Sequence, residues 1–126
     1  DEQGRATYPY FDEDGEVVGI KHHKGKNGES PYWERDGSCK WYGLQLLKGF
    51  NRNEVLYICE GEKDCLRMLS LGHQATTGSA GAGSIPKDLS PVAGFAEYRI
   101  IYDNDTAGNE GAEKLAERLN TVNGEH

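Results

Sequence analysis

A chain of 126 residues with a formal net charge of −7 is sized for one domain, or one domain with a small appendage, and is ill suited to simple electrostatic binding of nucleic acid. No signal peptide and no apolar run of transmembrane length is present, and Cys39, Cys59 and Cys65 are odd in number with no Cys-x-x-Cys pair, which argues against a disulfide framework and a zinc site. A reducing, cytoplasmic setting away from membranes is expected, and with Met68 its only methionine the chain reads as a fragment of a longer protein.

The first 53 residues read as a small β-rich lobe. Residues 7–11 form a strand candidate in which Pro9 favours a sheet edge. Asp14-Gly15 is a hairpin signal, and residues 16–23 are the returning strand. A polar loop follows at 25–30. Tyr32-Trp33 and residues 40–42 add short strands, 43–48 a brief helical turn, and 49–53 the boundary. Residues 20–48 hold six bases (Lys21, Lys24, Lys26, Arg35, Lys40, Lys48) against three acids (Glu29, Glu34, Asp36), a local +3 that leaves −10 on the remainder. A basic front beside an acidic rear fits a polyanion held against a metal site. On charge alone, two ordinary solvated faces fit almost as well.

Residues 54–126 change rhythm to strand, helix, strand, helix. Residues 55–59 are a near-continuous apolar run, as a buried parallel strand requires. A helix is predicted over 62–71, with Cys65, Leu66 and Leu69 on one face and Gly72 as its stop. Residues 74–77 are a weak strand, 78–84 a glycine-rich loop, and 98–102 a further strand. A helix over 106–119 carries a stripe at Ala112, Leu115, Ala116 and Leu119. This alternation predicts an α/β fold, a parallel sheet with right-handed crossovers and flanking helices.

Acids stand at the carboxyl ends of two of these strands. Glu60 follows the first; Asp103 and Asp105 follow the last. Ligands of open α/β sheets bind beyond those ends. If the strands are neighbours, three carboxylates converge, and hard oxygen ligands suit Mg²⁺ or Mn²⁺. For either motif alone, helix capping by Asp105 or Thr106, or helix initiation at Glu60, is the simpler account. Asp103-x-Asp105-x-x-Gly108 also begins like an EF-hand loop, but Ala107 and Lys114 stand at two ligand positions and a strand precedes it, so calcium sensing is rejected. Residues 76–84 lack Gly-Lys-Ser/Thr and form no P-loop.

Glu60-Gly61 after one strand, with Asp103-x-Asp105 and Ala107-Gly108 after a later one, resembles the Toprim domain of topoisomerases, bacterial-type primases, OLD-type nucleases and recombination mediators. Glu60-Gly-Glu-x-Asp64 is most similar to the catalytic core of phage-type primases and primase–helicases. Those proteins also place a β-rich lobe first, with a hairpin, a basic strand and a Leu-rich segment in the order seen here. The resemblance implies a Rossmann-like Toprim sheet and a DNA primase, an enzyme joining ribonucleotides into RNA primers on single-stranded DNA. By the same resemblance Asp103 and Asp105 are metal ligands, Glu60 is a ligand or general base, and Asp64 supports a ligand or is one. Gly61 and Gly108 then allow close backbone approach. Family members continue past the last helix into a strand and a further acidic motif, and work with a zinc-binding module and a replicative helicase. Neither continuation nor finger is present in these 126 residues.

Lys21, His22, His23, Lys24 and Lys26 are the candidate grip on nucleotide or template. Strand alternation puts Lys21 and His23 on one face and His22 and Lys24 on the other, so at most half can face one ligand. Trp33 and Trp41 fit the core better than base stacking in so small a lobe. The rival enzyme is a Toprim nuclease that activates water with the same acids; a third reading is a non-catalytic Toprim module binding nucleic acid.

Overall fold

The computed structural model describes residues 7–22, 40–78 and 85–124, and the backbone of 32–35. His23, Lys24, Lys26, Cys39, the side chain of Trp33 and most of the glycine-rich loop lie outside the described residues.

Three strands, β1 (Thr7–Phe11), β2 (Val17–His22) and β3 (Tyr32–Arg35), form an antiparallel sheet in the order β1-β2-β3. β1 is an edge, as a strand with Pro9 at its centre must be. The β1–β2 turn is built on Asp12. Its carboxylate accepts the N–H groups of Asp14 and Glu16, both at 2.9 Å. Gly15 takes the left-handed conformation at φ 85°, which a side chain would resist. The strand expected at 40–42 reduces to a single antiparallel bridge from Trp41 to Gly78. α1 (Leu44–Leu47) follows at once.

The second sheet is parallel, in the order β5-β4-β6, from β4 (Val55–Cys59), β5 (Ala75–Thr77) and β6 (Glu97–Ile101). Each connection carries a helix or a packed loop, as parallel pairing demands. α2 (Glu62–Ser70) follows β4, and α3 (Thr106–Gly124) follows β6. β4 is central. Leu56 and Ile58 point into a cluster with Trp41, Leu47, Val92, Leu115 and Leu119. Cys59 points the other way, to Cys65 and Ala75, with Tyr57, Met68 and Leu69 around them. Burial on both faces explains the unbroken apolar run. Each fully buried Leu or Ile there contributes about 1.5–3 kcal/mol.

Two sequence expectations need correction. Leu66 is 44% exposed; the inner face of α2 is Cys65, Met68 and Leu69 instead. α3 also runs five residues past Leu119, held late by Asn123, whose side chain bonds Gly94 N–H at 2.8 Å and the Tyr98 hydroxyl at 3.0 Å. Trp41 is core, with its indole N–H donating to the Asp88 carbonyl at 2.9 Å. Residues 41–47, on the front side of the expected boundary, pack into the core of the parallel sheet. No helix among the described residues is long and apolar enough to cross a membrane.

Candidate functional site

β4 and β6 are parallel neighbours with Cys59 opposite Ile101. Both therefore end at one sheet edge, and the residues that follow emerge side by side. Glu60 Oε1 accepts the backbone N–H of Asp103 at 2.8 Å. A carboxylate accepting a backbone N–H fixes both chain exits relative to one another. Around them opens a shallow cleft of about 250 Å³, lined by Glu60, Gly61, Glu62, Asp64 and Asp103, by Lys63, and by Tyr8 from the front sheet. A larger, mostly apolar hollow of about 560 Å³ between Val18, Trp41, Leu44 and Pro91 holds none of these acids.

Asp105 is placed differently. Its Oδ1 accepts the Gly108 N–H at 2.6 Å, and its carbonyl accepts the Asn109 N–H at 2.9 Å. These are the bonds of an N-cap residue on α3. It does not line the cleft. Among the described residues no three His, Cys, Asp or Glu side chains come close enough to hold a metal ion by themselves. Glu60, Asp64 and Asp103 line the one cleft as hard oxygen donors. Such a set fits Mg²⁺ in its usual mode, with one or two carboxylates and the remaining positions filled by water and phosphate.

The two motif glycines differ. A Cβ at Gly108 would lie 2.0 Å from the Asp103 carbonyl oxygen, so the turn closes only around a glycine. A Cβ at Gly61 would meet nothing within 4 Å, and its φ of −147° is ordinary extended backbone. The fold itself places no demand there.

Glu62 is a residue that sequence reasoning passed over. It is 3% exposed, accepts the Tyr10 hydroxyl at 2.6 Å and pairs with Lys21 at 3.0 Å. Lys21, expected at the nucleotide, is thus engaged by an acid of α2. His22 is buried. Burial, then the nearby Glu62 charge, drives the Tyr10 hydroxyl far above its usual range. Tyr42 is pushed up to about 12, by burial first and then by Cys65, Glu62 and Tyr8. Burial and then Asp64 raise Cys59 to about 11, so it stays a thiol at neutral pH and is no nucleophile.

No curated protein matches the sequence. Among solved structures, one similar chain comes from a bacteriophage T7 assembly. In it, lagging-strand DNA polymerase interacts with primase domains of two gp4 subunits bound to an RNA/DNA hybrid and dTTP. The TM-score is 0.67 at 23% identity, over 91% of this chain and 60% of that one. A second is the DnaG catalytic core, with TM-score 0.67 at 21% identity, over 90% of this chain and 39% of that one. This chain therefore spans 60% or less of the length of either, and the likeness is one of fold. Residues 57–125, β4 through α3, match the family described as Toprim-like, and to that family this chain belongs.

Proposed function

We propose that this chain is part of the catalytic core of a DNA primase or primase–helicase, an RNA polymerase making primers on single-stranded DNA. The observation that carries the reading is the Glu60–Asp103 contact, two acids from neighbouring strand ends opening a cleft whose further wall is the front sheet. Glu60, Asp103, Asp105 and Asp64 would hold Mg²⁺ or Mn²⁺. The ion, when bound, supplies positive charge to neutralise the phosphates and lower the pKa of an attacking hydroxyl. Glu60 keeps the Asp103 turn in place by its hydrogen bond. Lys63 stands at the cleft as the exposed base able to meet a phosphate. Lys21, His23, Lys24 and Lys26 are the bases proposed for template and nucleotide, and Gly61 leaves open space beside the acids while Gly108 lets the Asp103 turn close. We place a boundary between the front lobe and the Toprim domain near residue 53. A zinc-binding module and a replicative helicase, in the same or another chain, are the proposed partners, and the cytoplasm the proposed compartment. A Toprim domain that had become a pure binding module would have no need of acids at both strand ends.

Two measurements test this. Calorimetry with Mn²⁺ should show weak binding, because phosphates supply the missing ligands; Asp103→Asn should abolish it. Primer synthesis on single-stranded DNA by the protein carrying this chain, with DNA cleavage followed in parallel, then separates the chemistries. Metal-dependent cleavage without primers would make it a nuclease, and neither product would make it a binding module.

A further inference from the structure

Glu62 sits on the first turn of α2, two residues beyond Glu60. Carboxylates are seldom buried so completely unless paired. Its partners come from the other sheet. Oε2 accepts the Tyr10 hydroxyl at 2.6 Å and lies 3.0 Å from Lys21 Nζ, while Oε1 lies 3.3 Å from the same nitrogen. The Lys21 side chain is only 13% exposed. An ammonium and a carboxylate at such depth hold one another, because removing either strands the other without its counter-charge.

The register of the front sheet shows what this contact controls. Lys21 lies opposite Tyr8 across β1 and β2, and Tyr10 is two residues further along β1. All three share one face. Tyr8 is a wall of the acidic cleft. Tyr10 in turn packs on Tyr42, with ring centroids 4.9 Å apart. Tyr42 is tied to β5, its N–H donating to the Thr77 carbonyl at 2.8 Å and its carbonyl accepting the Thr76 hydroxyl at 2.7 Å. The joint is therefore anchored on both sheets. Apolar packing alone can slide, whereas a buried ion pair with a hydroxyl has one geometry in which every member is satisfied.

We propose that Glu62 is a positioning residue that seats the front sheet on α2 and so places Tyr8 and Lys21 beside the acidic cleft. Lys21 meets a polyphosphate as the outer member of an ion pair. The seating stands on the contacts above; the polyphosphate role rests on the function proposed for the cleft.

The experiment uses the 126-residue chain, Glu62→Gln, Lys21→Met and the double variant. Hydrogen exchange reads the seating. In Glu62→Gln the amides of β1 and β2 should exchange at least about tenfold faster while those of β4 hold, because local opening is read segment by segment. Unchanged β1–β2 exchange, or an equal rise in β4, overturns the proposal. Calorimetry with inorganic tripolyphosphate and Mn²⁺ reads the placement of Lys21. Both single variants should bind more weakly, and the double variant no more weakly than the worse single, as members of one unit do. Additive losses, or tighter binding in Glu62→Gln, overturn it. A parent chain that binds no tripolyphosphate refutes the function proposed for the cleft, and the exchange result then decides the role of Glu62. Should Glu62→Gln not fold, Tyr10→Phe removes the other limb of the same joint and must raise β1 exchange in its place.

Discussion

One carboxylate oxygen of Asp105 is already engaged by the helix it begins. A cap and a ligand ask different things of the residue. Capping needs any short side chain with an acceptor oxygen, and Asn serves about as well as Asp. Metal binding needs the charge. Asp105→Ala should therefore lower stability by about 1 kcal/mol, whereas Asp105→Asn should melt with the parent. Thermal denaturation of the three chains checks this, and a large loss in Asp105→Asn would show that the charge itself supports the fold. Gly108 makes a sharper case. Its missing Cβ is the space occupied by the Asp103 carbonyl oxygen, and that atom belongs to backbone, which cannot rotate aside. Gly108→Ala should push the Asp103 turn outward, costing about 1–3 kcal/mol as overpacking does and weakening Mn²⁺ binding. A melt and a titration together test it: normal stability with normal Mn²⁺ affinity would mean that the turn has room the geometry does not show.

The elements that the sequence displays are those whose burial is two-sided or cleanly one-sided. β4 reads as a strand because Leu56 and Ile58 face one helix layer and Cys59 the other. α3 reads as a helix because Leu115 and Leu119 recur on one stripe. Leu115→Ala should cost about 2–5 kcal/mol, since a fully buried side chain leaves a cavity that its neighbours only partly fill; a urea titration gives the number. Elements built by tertiary contact carry no such period. Leu89, Val92 and Phe95 enter the core from a loop with a 3₁₀ turn at Ser90–Val92. Its Pro91 and Gly94 announce only irregular backbone. The site divides the same way. Glu60 and Asp103 were legible as strand-end acids, because parallel neighbours share a carboxyl edge. Glu62 was not, since its partners lie 41 and 52 residues away on another sheet. Local spacing offered Asp105 as a helix cap, and the fold shows the cap formed.

At the scale of the whole molecule, the two sheets meet through a layer of weak acids kept neutral. Tyr10, Tyr42 and Cys65 stand between them, with Cys59 just behind on β4. Burial is the first cause of every shift, and each is upward. The sign of the linkage follows. Raising the pH deprotonates these groups in the unfolded chain before it can do so in the native one, so the native state binds more protons and stability falls as pH rises. For Cys59 the loss begins near the ordinary thiol value of 9.0 and continues through about 11. For Tyr42 it runs from 10.0 to about 12. The denaturant midpoint should therefore hold between pH 7 and 8.5 and fall steadily from pH 9 to 12, wholly on the alkaline side. Tyr42→Phe removes one ionisable group while keeping the ring against Tyr10, so its midpoint should fall less steeply above pH 10. Urea midpoints of both chains across that range decide the matter. A parent midpoint that stays level to pH 12 would mean that water reaches the junction, and that the two sheets are not closed on one another in solution.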